Sequence, residues 1–96
     1  MYWTRNSREF QFAYSSGYTD GYDKGRGDGR AWRSFDPSRH KRYRSADHNY
    51  NRRYGSRIEY EYAYRDGFRA GYDAGYREAR AYRGYGRDRD DWRRPY

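Results

Sequence analysis

No leucine, valine or cysteine occurs in these 96 residues, and isoleucine and methionine occur once each, as Ile58 and Met1. Without branched aliphatic side chains the chain cannot assemble the core usual for one small domain, which is the most this length allows. Without cysteine there is no disulfide, no thiolate chemistry and no CxxC-type metal site. No apolar run approaches membrane-spanning length. The opening "MYWTRNSREF" lacks the apolar core of a signal peptide, so the chain is expected either to be made without export, and then cytoplasmic, or to be the mature form of an exported extracellular or envelope protein. Ile and Phe together make five residues and the net charge is +8, a balance that on composition alone belongs to disordered chains.

What the sequence does have is rings. Twenty-two aromatics, 15 of them tyrosine, and eight alanines supply nearly all the apolar surface. They are arranged in an internal repeat: Glu9–Arg33 aligns without gaps on Glu59–Arg83 at an offset of 50, with 11 of 25 positions identical and four more exchanging one aromatic for another. Tyr14, Gly17, Gly21, Tyr22, Asp23 and Gly25 fall on Tyr64, Gly67, Gly71, Tyr72, Asp73 and Gly75. Asn6 and Ser56 each lie three residues before a glutamate, a capping-box pattern for a helix start. Between the repeats, Asp36 and Pro37 can open a helix that runs to about Tyr54, with Gly55 just past its end and Tyr43, Ala46, Tyr50 and Tyr54 on one face.

At 100° per residue the glycines four apart drift slowly along one side of a helix, with Tyr14, Tyr18 and Tyr22 nearby and Ser16, Thr19, Asp20 and Asp23 pointing away. Each interior glycine costs a helix about 1 kcal/mol relative to alanine, which makes sense only if another surface packs closely against it. The expected fold is all-α: two long Gly/Tyr-rich helices, 9–33 and 59–83, antiparallel and joined by a shorter basic helix, 37–54, in a single domain over 1–86, with 87–96 a mobile polyampholyte tail. Rings on each helix are expected to fill the notches of the other. The packing and assembly set is Tyr14, Gly17, Tyr18, Gly21, Tyr22 and Gly25, with Tyr64, Gly67, Phe68, Gly71, Tyr72, Gly75 and Tyr76. The stretch "DKGRGDGR", Asp23–Arg30, is the weakest helical segment and can also be read as unwound.

The two repeats are electrically neutral, while Arg39–Arg57 holds seven basic residues (Arg39, Lys41, Arg42, Arg44, Arg52, Arg53, Arg57) against Asp47 alone. Such a segment suits a polyanion, a nucleic acid or an acidic glycan, and Arg beside Tyr is the chemistry of single-strand binding, although no recognised nucleic-acid motif is present. His40 and His48, eight apart, have no second pair of ligands and read as exposed helix histidines. "RGD" at 26–28 is a chance match, and "GRGDG" lacks the strand and the lysine–serine ending of a phosphate loop. No isolated carboxylate pair and no nucleophile–base order point to catalysis, so the chain reads as no enzyme, with no cofactor and no small-molecule substrate.

"AYRDGFRAGYDAGY", preceded by "RHKRYRSADHNYNRRYGSR", resembles a group of small bacterial Tyr/Arg/Gly-rich repeat proteins that join AYRxGYxxGY-type helices to a central RxYRxADxxYxxRYG segment. The resemblance covers roughly Phe10–Gly86 and implies export for many such chains, which this N-terminus does not show; it brings no activity and no site residues. The function expected is a structural or interaction protein that self-associates as a homo-oligomer or polymer, in a filament or coat, through aromatic-into-glycine packing. The competing expectation is a polyanion-binding module using Arg39–Arg57.

Overall fold

A computed structural model describes residues 7–89 as three α-helices and two single 3-10 turns, with no β-strand among them. Helix α1 spans Arg8–Arg30, α2 Lys41–Ser45 and α3 Arg57–Arg89; the 3-10 turns are Pro37–Arg39 and Arg52–Tyr54. The two long helices pack on each other. Helix α1 begins at Ser7, whose hydroxyl accepts the N–H of Phe10 at 3.0 Å, with Glu9 in the first turn. The cap expected at Asn6 thus falls one residue later, and Asn6 itself lies outside the described residues. Ser56 takes the matching role for α3, accepting from the N–H of Glu59 at 3.3 Å. The whole of "DKGRGDGR" is helical. Beyond it, Arg33 N–H donates to Asp28 O at 3.0 Å and Trp32 N–H to Gly29 O at 3.2 Å, the two bonds of a Schellman ending with Trp32 at its left-handed position, φ 60°. Of the tail expected from 87, residues 87–89 continue α3 and the rest lies outside the described residues.

The register of the two long helices is written in their glycines. A Cβ added to Gly17, Gly21 or Gly25 would stand 2.0, 2.1 and 2.2 Å from the carbonyl oxygens of Tyr64, Phe68 and Tyr72. One added to Gly67, Gly71 or Gly75 would stand 2.1, 2.1 and 2.3 Å from those of Tyr14, Tyr18 and Tyr22. No side chain of any kind fits there; backbone lies on backbone, with glycine Cα–H groups facing carbonyl oxygens. Two expectations are corrected by this. Partners climb together, so the helices are parallel and not antiparallel. And the notches are filled by the facing main chain and not by rings. The connection explains the first point: an antiparallel pair needs only a short loop, whereas residues 31–56 are enough to run back along a helix of 23 residues, about 35 Å at 1.5 Å per residue.

Parallel packing also makes the contacts interchange. Shifting Gly17 and Tyr14 by 50 gives Gly67 and Tyr64, and the contact Gly17–Tyr64 becomes Gly67–Tyr14. The stripe extends past the glycines through buried Ala13, Ala63 and Ala79, and Gly29 meets the Ala79 Cβ.

Because the helix–helix seam leaves room for nothing larger than alanine between the two backbones, the aromatic core sits beside it. Tyr60, Tyr64, Phe68 and Tyr72, one per turn along α3, are fully buried, with successive ring centroids 6.2–6.3 Å apart. Over this ladder the connection descends as a strap. Phe35 meets Tyr76 and Tyr72 edge-on at 5.2 and 4.9 Å, Tyr43 meets Phe68 at 5.5 Å, and Tyr50 meets Tyr60 at 5.2 Å. The single helix expected over 37–54 is therefore a correction as well. Only Lys41–Ser45 is α-helical, and the chain turns at buried Ala46 (φ 54°) and at Asn49 (φ 71°). Asp47, Asn49 and Asn51 compete for backbone bonds and favour turns over helix interiors. From α3, Arg65 donates to the carbonyls of Tyr43 (3.0 Å) and Arg44 (2.6 Å), covering the end of α2.

Gly71→Leu should destabilise the fold by at least about 3 kcal/mol although it raises helix propensity, because its Cβ would meet the Tyr18 carbonyl. Gly27→Ala, with nothing within 4 Å of its Cβ, should stabilise by about 1 kcal/mol. Thermal unfolding followed by circular dichroism measures both; a stabilised Gly71→Leu would refute the backbone seam.

Candidate functional site

Burying tyrosine obliges each hydroxyl to find a partner. On α3, Tyr64 and Tyr72 point past the seam to α1, where their hydroxyls donate to Asp20 and Asp28. The strap closes on the same two carboxylates. His48 Nδ1 lies 2.7 Å and Arg42 Nη1 3.2 Å from Asp20 Oδ2; His40 Nε2 and Arg39 Nη1 each lie 2.9 Å from Asp28 Oδ2. Two clamps result, each a tyrosine, an aspartate, a histidine and an arginine, and each joining all three layers. Eight residues separate the two members on α1 (20, 28), on α3 (64, 72) and on the strap, where the order reverses (48, 40), since the strap runs the other way.

Asp28 is the deeper carboxylate, 1% exposed. Burial pushes its pKa up, but hydrogen bonds from Tyr72, His40 and Arg39 outweigh burial and hold it down to about 2. Tyr72 is pushed up to about 12 by burial and by its bond to Asp28, and it also accepts the Asp36 N–H at 3.2 Å. Tyr64 is raised well above the ordinary phenol value, first by burial and then by Asp20. Neither a carboxylate this acidic nor phenols this reluctant exchange a proton near neutral pH, so the clamps fit a fastening role better than acid–base work. Among the described residues no group of three or more His, Cys, Asp or Glu converges as metal ligands.

The expected packing residues divide into three groups. Gly17, Gly21, Gly25, Gly67, Gly71 and Gly75 are all buried in the seam. Tyr64, Phe68 and Tyr72 are buried under the strap; Tyr76 is half-buried, its hydroxyl donating to the Arg33 carbonyl. Tyr14, Tyr18 and Tyr22 lie on the flank of α1 opposite Asp20 and Lys24, outside the strap. They repeat the α3 ladder at an offset of 50, yet Tyr18 is 38% exposed where Phe68 is 0%. The bond of Tyr72 to Asp28 is mirrored here by that of Tyr22 to Glu78.

The seven expected polyanion-binding residues stand in different surroundings. Arg39 and Arg42 hold the clamps; Arg44 donates to the carbonyls of Ser38 (2.9 Å) and Arg39 (2.7 Å); Arg57 pairs with Asp47 at 3.0 Å and Glu61 at 3.1 Å. Lys41, Arg52 and Arg53 alone are exposed with no such bond among the described residues. Sequence reasoning missed the histidines, which are half-buried in the clamps and on no common helix, and it aimed Asp20 at solvent, whereas that side chain is 14% exposed. The shared spacing of eight in Asp20/Asp28, His40/His48 and Tyr64/Tyr72 is the signal that could have found them. No described helix is long and apolar enough to cross a membrane. No family model, no curated protein and no solved structure matches this chain.

Asp28 sets a two-sided pH dependence. Its folded pKa lies below the ordinary value of about 4, so its contribution is complete above that value and is lost as pH falls toward about 2. Tyr72, raised, contributes fully below about pH 10 and loses that contribution as pH rises toward about 12. Urea unfolding across this range should show both limbs. Asp28→Asn should lower stability at pH 7 by about 3 kcal/mol and flatten the acid limb; an unchanged acid limb would exclude Asp28 as its source.

Proposed function

We propose that this protein is a non-catalytic structural or interaction protein that self-associates, and that the contact is the uncovered α1 flank formed by Tyr14, Tyr18 and Tyr22. One observation carries the reading: two equivalent tyrosine ladders flank the seam, and the strap covers only one. Half-buried Ala70 and Ala74 occupy the α3 positions matching Asp20 and Lys24, so alanines stand here where a carboxylate and an ammonium border the covered ladder. Charge favours a second copy on this side. The repeats Glu9–Arg33 and Glu59–Arg83 are neutral, and most of the excess positive charge rides on the strap at the opposite face, where two copies would repel.

The glycines do not take part, because the fold uses them internally. Assembly by aromatic-into-glycine packing therefore gives way to assembly by the remaining ladder. Flank against flank is an isologous contact and closes a dimer; a filament would need a second, different surface. Polyanion binding through Arg39–Arg57 is less favoured, since four of those seven side chains fasten the strap.

Sedimentation equilibrium should find a dimer whose dissociation constant rises about tenfold or more in Tyr18→Asp, with the helical signal unchanged. Lys41→Glu, on the strap, should leave the mass distribution as it is. A wild-type chain that stays monomeric into the millimolar range would overturn the proposal.

A further inference from the structure

Of the five glycines in α1, four have main chain or side chain pressed against them, and Gly27 has nothing within 4 Å of where its Cβ would stand. It has an ordinary helical conformation, so no turn requires it. A glycine in that setting weakens the helix by about 1 kcal/mol and gives no packing in return. It does border an open depression of about 410 Å³ at the end of α1. Four cations, Lys24, Arg26, Arg30 and Arg33, line the same depression. They face Asp23 and Asp28, and the charge of Asp28 is already answered by Arg39 from outside the group.

Several of these cations are available. Lys24 and Arg26 form no ion pair among the described residues, although Arg26 lies over the Tyr22 ring at 5.8 Å. Arg33 reaches Asp28 only at 3.3 Å and its side chain is 59% exposed. The α1 carbonyls nearby, which would repel an anion, already accept: Gly27 O from Ala31, Asp28 O from Arg33 and Gly29 O from Trp32. The two repeats part company here. Lys24, Arg26 and Gly27 correspond to Ala74, Tyr76 and Arg77, so α3 carries neither the extra lysine nor the bare backbone.

We infer that this depression is a binding site for a phosphate group, with Lys24 and Arg33 supplying charge and hydrogen bonds and Gly27 leaving room for the group to approach the helix. The site touches the tyrosine flank only through Arg26 and is separate from the strap cations Lys41, Arg52 and Arg53. A phosphate of this kind can come from a small polyphosphate compound or from a nucleic-acid strand, and the two sources are distinguished by experiment.

Pyrophosphate titrated into isotope-labelled protein should give saturable shifts in the amide signals of Lys24, Gly27 and Arg33. Gly27→Gln places a side chain in the depression beside the helix without changing charge; it should weaken binding about tenfold while thermal stability is kept or raised. Lys24→Ala should weaken binding similarly, and Lys41→Ala should not. A parallel titration with a short oligothymidylate identifies the source: loss in Gly27→Gln for both ligands assigns a strand, and loss for pyrophosphate alone assigns a small phosphate compound. Shifts that do not saturate, an equal loss in Lys41→Ala, or wild-type affinity in Gly27→Gln would overturn the assignment.

Discussion

Direct contact between the backbones of α1 and α3 governs the rest of this molecule. Where two helices meet with carbonyl oxygens about 2 Å from the site of a missing Cβ, only glycine can stand, and the chain places one at each successive turn. Glycine weakens each helix taken alone. The pair is stable only as a pair, and the large side chains that ordinarily separate packed helices must go elsewhere. They go to the flanks, where one side of the seam becomes the core and the other a surface.

From that displacement follows the work of the strap. A ladder of Tyr60, Tyr64, Phe68 and Tyr72 standing beside the seam needs a cover, and its hydroxyls need acceptors. Residues 31–56 provide the cover with Phe35, Tyr43 and Tyr50, and α1 provides the acceptors with Asp20 and Asp28. Each acceptor is a buried or half-buried carboxylate, which calls for positive and hydrogen-bonding groups in turn. His40, Arg39, His48 and Arg42 meet that need. A good part of the excess basic charge of the connection is accordingly structural, which composition could not reveal.

The helical class, both long helices, the glycine stripe and the Ser56 start were legible in sequence, because repetition at helical spacing leaves few other readings. The direction of the pair was not. Gly-xxx-Gly spacing permits close approach of either polarity, and the deciding quantity was the length of the connection set against the length of the helix it must retrace. The connection misled for a different reason: Tyr43, Ala46, Tyr50 and Tyr54 do fall on one helical face, but Asp47, Asn49 and Asn51 between them favour turns, and ring packing on α3 overrode the pattern. The clamps escaped notice because a histidine read along its own segment shows no partner; Asp20 and Asp28 are 28 and 12 residues away from His48 and His40.

A parallel pair whose contacts interchange under a shift of 50 residues has the geometry of a symmetric dimer held within one polypeptide. Two separate copies of the half would have to keep every residue in duplicate. Covalent union lifts that obligation, and the two halves can specialise: one ladder becomes interior and its twin stays outside, one helix keeps Ala74 and Arg77 where the other has Lys24 and Gly27. The asymmetry of the molecule, one flank covered and its counterpart bare, is what joining two like halves in a single chain makes possible.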